Sequence, residues 1–181
     1  MRDPWGGTLH DGGFARHNAA MPDRFRIHIV ETAEDLVAVR QLFEGYAASL
    51  PVDLDYQDFA SELAGLPGKY APPTGALLLA RDSAGDPLGC VGLRPLDCDG
   101  ACEMKRLYLL PEARGLGLGR ALSEAIVGEA RRLGYRELRL DTLPSMHSAI
   151  ALYEALGFAR IEPYYAPTPP GTVFMALDLA A

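Results

Sequence analysis

The stretch Arg114-Gly115-Leu116-Gly117-Leu118-Gly119 is the most informative part of this sequence, because its three alternate glycines lie between a predicted strand and a predicted helix. The strand ends at Pro111, which cannot donate to a strand ladder. The helix has apolar residues at spacings of three and four and ends at Gly134. Glycines let backbone N–H groups approach a ligand, and a helix N-terminus attracts anions. The stretch therefore predicts a phosphate site, where Arg114 and Arg120 add charge-assisted contacts.

Two other phosphate-binding loops fit this stretch less well. It lacks the Gly-Lys-Ser/Thr ending of a P-loop, which disfavours a nucleoside triphosphate. Its spacing is Gly-x-Gly-x-Gly rather than Gly-x-Gly-x-x-Gly, and it follows an antiparallel meander, which disfavours a Rossmann dinucleotide site. A helix entry that is glycine-rich for structural reasons alone is the remaining alternative.

The elements around the loop predict one mixed sheet. Alternating and β-rich segments predict strands over residues 25–30, 76–81, 88–94, 101–110, 136–142, 158–161 and 173–179. Helical spacing predicts helices over residues 32–50, 56–64, 119–133 and 145–156. This order predicts the α/β (α+β mixed sheet) class, with helices on both faces. Residues 1–23 show no apolar period and are expected to form a loose leader before a single domain over 24–181.

Composition excludes several classes of function. No apolar stretch approaches the roughly 20 residues that span a bilayer, and the first residues lack the apolar region of a secretory signal. The three cysteines, Cys90, Cys98 and Cys102, are too few for a disulfide framework, and no His cluster accompanies them to form a metal site. A net charge of -7 argues against nucleic-acid binding. We expect a cytoplasmic protein with no metal and no membrane or nucleic-acid partner.

The charge is unevenly distributed along the chain. Residues 104–140 hold eight Lys/Arg and four Glu, a net of +4, whereas residues 31–63 hold eight Asp/Glu and one Arg, a net of -7. This asymmetry predicts an anion site near the glycine loop and a surface for cations elsewhere.

Together with its neighbours, the loop resembles the signature of the GNAT superfamily of N-acetyltransferases, Arg/Gln-x-x-Gly-x-Gly/Ala. Residues 104–111, Met-Lys-Arg-Leu-Tyr-Leu-Leu-Pro, resemble the central strand of the family. Residues 149–158, Ala-Ile-Ala-Leu-Tyr-Glu-Ala-Leu-Gly-Phe, resemble its last helix and the following strand. The motifs cover residues 101–160, and the order of elements extends the resemblance to 24–180.

The resemblance implies a mostly antiparallel sheet in which two parallel strands, 101–110 and 136–142, splay apart around acetyl-CoA. It implies that pantetheine lies along the first strand and pyrophosphate on the loop, through Leu107, Tyr108, Leu109, Arg114, Gly115, Leu116, Gly117, Leu118, Gly119 and Arg120. Met146 departs from the pattern, because many members carry there an Asn that contacts the cofactor. Ser145, Ser148 or backbone groups are the available substitutes.

Transfer of an acyl group from a thioester to an amine requires a neutral amine, a stabilised oxyanion and a protonated leaving thiolate. Tyr153 matches the family tyrosine that protonates the thiolate. Glu103 is the first candidate for the base, because several members carry a carboxylate near this point of the central strand. His147 and a chain of water molecules are the alternatives for that role. The Leu109 N–H is expected to bind the oxyanion.

The resemblance places the acceptor beneath the first two helices. Candidate wall residues there are Glu44, Tyr46 and Tyr56, with Asp53 and Asp55 nearby. The negative charge of this wall would attract a cationic acceptor, so we expect the acceptor group to be a primary amine of a small molecule or peptide. Tyr164 and Tyr165 are expected to form a lid over the site or contacts in a homodimer. The main alternative function is a non-catalytic acyl-CoA-binding regulatory module on the same fold, and a purely structural partner protein is a second.

Overall fold

Seven strands form one sheet in the computed structural model, which describes residues 24–98 and 100–180. The strands are β1 (Arg26–Ile29), β2 (Ala76–Arg81), β3 (Pro87–Pro95), β4 (Ala101–Leu109), β5 (Glu137–Thr142), β6 (Ala159–Ile161) and β7 (Val173–Asp178). Their order is β1-β2-β3-β4-β5-β7-β6, and every neighbouring pair is antiparallel except β4 and β5. This topology confirms the predicted fold class. The expected leader over 1–23 lies outside the described residues.

The helices are α1 (Ala33–Ser49), α2 (Phe59–Ala64), α3 (Leu118–Arg132) and α4 (His147–Ala155). Local signals explain two of their ends. The Thr32 hydroxyl accepts a hydrogen bond from the Asp35 N–H at 3.1 Å and caps α1, and Gly134, with φ of +83°, follows the end of α3. The predicted helix over 56–64 is divided, because Asp58 takes a φ of +53° between a 3₁₀ turn (Asp55–Gln57) and α2. No helix in residues 24–98 and 100–180 has the length and apolar character needed to cross a membrane.

The two faces of the sheet have different coverings. One face packs on α3 and α4 through a large apolar cluster that includes Leu78, Val91, Leu122, Ile126 and Leu140. The other face packs on α1 through a smaller cluster that includes Val39, Phe43, Leu79 and Cys90. That second cluster lies over β2 and β3. Over β4 and β5 the same face instead carries polar side chains, namely Glu103, Lys105, Arg139 and Asp141, which alternate with the apolar residues of the first face.

The parallel pairing of β4 with β5 ends after three residue pairs, the last of which is Glu103 with Arg139. Beyond this point β4 continues along β3 as far as Leu109, and β5 continues along β7 as far as Thr142. The two strands therefore diverge. They leave a gap whose β4 side is the backbone edge of residues 104–109.

A β-bulge lies within that free part of β4. Cys90 pairs with Tyr108 and Gly92 with Lys105, so two residues of β4 oppose one residue of β3. Arg106, in the bulge, has a φ of +58°. This conformation costs a residue with a side chain about 1–2 kcal/mol.

The Arg106 side chain is bound by α2 and by the turn before it. Its Nε and Nη2 donate to the two carboxylate oxygens of Glu62, both at 2.9 Å, and Nη1 donates to Gln57 Oε1 at 2.8 Å. The guanidinium also lies over the rings of Tyr46 and Phe59. Burial acts to raise the pKa of Glu62, but the hydrogen bonds and charge of Arg106 outweigh it and hold this pKa below its ordinary value. The ion pair thus connects α2 to the bulge.

We predict that Glu62→Ala lowers the free energy of unfolding by about 3–5 kcal/mol, because it leaves a buried guanidinium unpaired. The control is Glu154→Ala, which removes an exposed partner of Arg160 and is expected to cost less than about 1 kcal/mol. Urea unfolding at pH 7 measures both values. The Glu62 contribution is complete above a pH of about 4.3 and is lost as the pH falls further, because the folded-state pKa is lowered. Equal losses in the two variants would contradict a structural role for the ion pair.

Candidate functional site

The glycine loop connects β4 to α3 in a conformation that requires glycine. Gly115 and Gly117 have φ values of +75° and +80°, and a Cβ built on either would meet no atom within 4 Å. Backbone conformation, rather than space, therefore selects glycine at both positions. Buried Leu118 anchors the start of α3, while Arg114 and residues 115–117 are exposed.

The N–H groups of this loop are available to an anion. The first hydrogen bond within α3 runs from the Ala121 N–H to the Gly117 carbonyl oxygen at 3.1 Å, so the N–H groups of residues 118–120 have no partner inside the helix. Arg114 makes no ion pair with another described residue, and Arg120 pairs only with the exposed Glu124. The helix N-terminus and the two arginines form a positive site.

The open edge of β4 leads directly to this loop. The Leu110 N–H is bonded to the Leu88 carbonyl on β3, so the alternation of a strand directs the N–H and C=O of Leu109 away from β3 and toward the gap. A methyl group built on Gly119 would lie 3.8 Å from the side chain of Leu109. The structure therefore brings together the residues predicted to bind the cofactor, from Leu107, Tyr108 and Leu109 to Arg120.

A small cavity of about 40 Å³ occupies the gap between the diverging strands. Its lining includes Tyr46, Met104, Lys105, Leu107, Leu140, Asp141, Met146 and Tyr153. Tyr153 reaches it from α4, is only 6% exposed and packs on the Phe158 ring. Burial raises the pKa of Tyr153, so its phenol is protonated at neutral pH. No described residue hydrogen-bonds the Tyr153 hydroxyl.

A larger cavity of about 600 Å³ lies over the polar side of β4 and β5. Its lining includes Asp55, Tyr56, Gln57, Asp58, Lys69, Arg94, Asp97, Glu103, Arg139, Tyr164 and Tyr165. Tyr56 and Gln57 border the small cavity as well, so the two cavities meet at the 3₁₀ turn. A ligand in the larger cavity can therefore approach a group held in the gap.

Glu103 lies at the floor of the larger cavity and is 1% exposed. Its Oε2 accepts a hydrogen bond from Arg94 Nε at 2.8 Å, and its Oε1 accepts one from the Tyr164 hydroxyl at 2.6 Å. Lys105 Nζ is 3.4 Å from Oε1. Both oxygens of the carboxylate predicted as the base therefore have partners, and Glu103 and Tyr153 border different cavities.

The structure places the predicted acceptor residues unequally. Tyr46 borders the small cavity and Tyr56 borders both. Glu44 is exposed on α1 and borders none of the described cavities, so it does not lie with the two tyrosines. His147, the alternative base, is exposed at the first position of α4. Met146 is the N-cap residue of that helix and borders the small cavity.

Sequence reasoning missed two site residues, Gln57 and Asp141. Gln57 Nε2 lies 2.9 Å from the Tyr165 hydroxyl, 3.0 Å from the Tyr56 hydroxyl and 3.4 Å from Asp141 Oδ2. Asp141 also pairs with Lys105. The sequence did contain a signal for Asp141, because this ionisable residue alternates with leucines in a predicted strand. Nothing local marks Gln57.

Cys98 is exposed and borders the larger cavity, whereas Cys90 and Cys102 border neither cavity. Cys90 and Cys102 are buried, and burial raises the pKa of the Cys90 and Cys102 thiols. Within the ranges that the structure describes, no group of three or more His, Cys, Asp or Glu side chains is arranged to hold a metal ion.

Comparison with known proteins agrees with this geometry. Residues 36–158 match the model of the acetyltransferase (GNAT) family. An uncharacterised N-acetyltransferase of Schizosaccharomyces pombe is 41% identical over 159 residues, which cover 88% of this chain and 98% of that protein. The crystal structure of the ribosomal-protein-S18-alanine N-acetyltransferase from Escherichia coli superposes with a TM-score of 0.63 at 27% identity, covering 86% of this chain and 94% of that one. The structure of yncA from Salmonella typhimurium with its cofactor acetyl-CoA has a TM-score of 0.64 at 22% identity, covering 87% and 95%.

The chain thus combines a mixed sheet that has one splayed parallel pair with a glycine loop between β4 and the N-terminus of α3. This chain belongs to the acetyltransferase (GNAT) family, and by class it is an N-acetyltransferase. The family resemblance of its sequence is confirmed.

Proposed function

We propose that this chain transfers an acetyl group from acetyl-CoA to a primary amine of a small molecule or peptide, by direct attack of the amine on the thioester. The observation that carries this proposal is the open edge of β4, which leads from a small cavity with a buried tyrosine to the free N–H groups of the glycine loop. An extended donor with a thioester at one end and a pyrophosphate at the other matches that arrangement.

The donor's pyrophosphate fits the N-terminus of α3, where residues 115–120 supply backbone N–H groups and Arg114 and Arg120 supply positive charge. Its pantetheine fits the edge of residues 107–109 as an added strand. The small cavity, of about 40 Å³, favours a short acyl group over a long one. Acetyl is therefore the acyl group that we propose.

We predict that Gly117→Ala weakens acetyl-CoA binding about tenfold or more, because it alters the N–H groups at the pyrophosphate. Gly85→Ala is the matched control, since Gly85 also has a positive φ and open space but lies in the β2–β3 turn. Both variants are expected to lose about 1 kcal/mol of stability. Calorimetric titration with acetyl-CoA measures the affinity. Equal affinity in the two variants would argue against the loop as the pyrophosphate site.

Tyr153 is proposed as the general acid that protonates the departing thiolate. Its side chain borders the small cavity, its hydroxyl is free of described partners, and its raised pKa keeps the proton available at neutral pH. The Leu109 N–H, which is directed into the gap, is proposed to bind the oxyanion.

Replacement of Tyr153 by Phe is expected to lower kcat about 100-fold while the acetyl-CoA affinity stays within about twofold, because only the acid is lost. Tyr135→Phe is the control, since the Tyr135 hydroxyl donates to the Thr74 carbonyl and borders neither cavity. Thiol release measures turnover. Unchanged turnover of Tyr153→Phe at every pH would remove this residue from the mechanism. If the wild type binds acetyl-CoA but releases no thiol from it with any amine, the chain is instead a non-catalytic acyl-CoA-binding module.

The larger cavity is proposed to hold a cationic acceptor. Arg94 is paired with Glu103, and Arg139 is paired with Glu137. Four charged side chains of the lining form no ion pair with another described residue. They are the carboxylates of Asp55, Asp58 and Asp97 and the ammonium of Lys69. The unpaired charge is therefore negative and attracts an amine in its protonated form. The rings of Tyr56, Tyr164 and Tyr165 provide further surfaces for a cation.

We predict that the double variant Asp58→Asn, Asp97→Asn raises KM for 1,5-diaminopentane about three- to tenfold at low salt, because two exposed charges each contribute about 0.2–1 kcal/mol. The increase is expected to shrink as salt is added. Glu44→Gln, which removes an exposed carboxylate outside the cavity, is the control. A wild-type preference for acceptors with an acidic tail, or an equal effect of Glu44→Gln, would refute the cation site.

A further inference from the structure

The Gln57 side chain lies where three cavities meet, because it borders the small cavity, the larger cavity and an adjoining cleft of about 450 Å³. Its amide nitrogen lies near three oxygens from three different segments: the Tyr56 hydroxyl at 3.0 Å, the Tyr165 hydroxyl at 2.9 Å and Asp141 Oδ2 at 3.4 Å. Its amide oxygen accepts from Arg106. One nitrogen with two hydrogens thus serves three acceptors.

This cluster has the chemistry of an amine-binding site. Two hydroxyl oxygens and a carboxylate oxygen match the hydrogen-bonding capacity of an ammonium group, which has three donors and no acceptor. The side-chain amide of Gln57 fits these three oxygens less well than an ammonium group would, since its contact with Asp141 is long. The cluster also borders the small cavity that Tyr153 reaches.

We propose that Tyr56, Asp141 and Tyr165 bind the acceptor's amine in the place of the Gln57 amide nitrogen, and that Asp141 is the base that takes the amine's proton. This inference rests on the proposed acetyl transfer and names the residues that receive the acceptor within it. Gln57 is half-buried on a short 3₁₀ turn, so rotation of its side chain is enough to clear the position.

Asp141 is better placed for this role than Glu103. Asp141 borders the small cavity together with Tyr153, whereas Glu103 borders the larger one. Both oxygens of Glu103 accept short hydrogen bonds. Asp141 Oδ1 is bound by Lys105, Oδ2 receives a long hydrogen bond from Gln57, and the Tyr165 hydroxyl also hydrogen-bonds this carboxylate.

The groups that face Asp141 come from every element around it. They are Lys105 and Arg106 of β4, Tyr46 of α1, Tyr56 of the 3₁₀ turn, Tyr153 of α4, and Tyr164 and Tyr165 of the loop before β7. Lys105 lies between Asp141 and Glu103, Arg106 is paired with Glu62, and the tyrosines are neutral at physiological pH.

The proton and electron balance of the step closes with these residues. One proton of the ammonium group passes to Asp141 Oδ2, and the nitrogen lone pair then forms a bond to the thioester carbonyl carbon. When the carbon–sulfur bond breaks, its electron pair stays on sulfur, which takes the phenolic proton of Tyr153. The amide nitrogen releases its second proton, which returns to Tyr153 through solvent. The net products are the amide, free thiol and one proton, which leaves from Asp141.

The test is the pH dependence of kcat/KM in Asp141→Asn with 1,5-diaminopentane as acceptor. At pH 7 we expect a loss of about 100-fold or more. We expect the loss to shrink by about tenfold for each unit of pH until it disappears, at or below the pKa of the amine near 10.4, because a growing share of the free acceptor has then lost its proton in solution. A purely structural role of Asp141 would give a loss that is the same at every pH. Acetyl-CoA affinity is expected to be unchanged.

Two further variants keep the test decisive. The double variant Asp141→Asn, Lys105→Gln also removes the ammonium that loses its Asp141 partner in the single variant, so it covers the case in which the single variant does not fold. Tyr165→Phe is expected to raise KM for the amine about three- to tenfold through loss of one hydrogen bond, with kcat nearly unchanged.

Glu103→Gln serves as the rival base. A pH-linked loss in Glu103→Gln but not in Asp141→Asn would overturn the proposal, as would a pH-independent loss in Asp141→Asn. These results are distinct from failure of the proposed function itself, in which the wild type transfers acetyl to no amine at any pH.

Discussion

The early end of the parallel pairing between β4 and β5 is the constraint on which the rest of the structure depends. After Glu103 and Arg139 each strand continues with a different partner, β4 with β3 and β5 with β7. The backbone groups of β4 that would have bonded to β5 are left facing a gap. A strand edge of this kind is a binding surface, because its N–H and C=O groups need partners. The glycine loop extends the same surface to a helix N-terminus.

Buried ion pairs fix the shape of this gap from one side. Arg106 adopts a costly backbone conformation and is held there by Glu62 of α2, while Glu103 joins Arg94 and Lys105 joins Asp141. Such pairs add little net stability compared with a well-packed apolar core, yet loss of one partner strongly lowers the free energy of unfolding. They join α2, the larger cavity and strand β4 in one network, so the proposed donor and acceptor sites are positioned by the same residues.

Much of the fold could be predicted because its signals are local. Thr32 marks the start of α1 and Gly134 the end of α3, while the continuous apolar run of β2 and the apolar alternation of β5 indicate strands with buried side chains. The donor loop is equally local, since its glycines, the preceding proline and the following helix lie within a short segment. Asp58 was missed as a break between a 3₁₀ turn and α2, because nothing in its neighbours indicates a positive φ.

The acceptor side could not be predicted to the same degree because it is assembled from distant segments. Gln57 meets Asp141 across 84 residues of sequence and Tyr165 across 108. Glu44 and Tyr46 are two residues apart on α1, yet only Tyr46 faces the gap. Helix orientation decides that difference, and it depends on how α1 packs against the sheet rather than on residue type.

Amide hydrogen exchange with and without coenzyme A tests whether the free edge of β4 and the glycine loop form one donor site. If they do, we expect slower exchange on binding at the N–H groups of Leu107, Leu109 and residues 115–120, with little change at the paired N–H of Leu110, which already donates to β3. Binding of coenzyme A that leaves Leu107, Leu109 and the loop unprotected would contradict it.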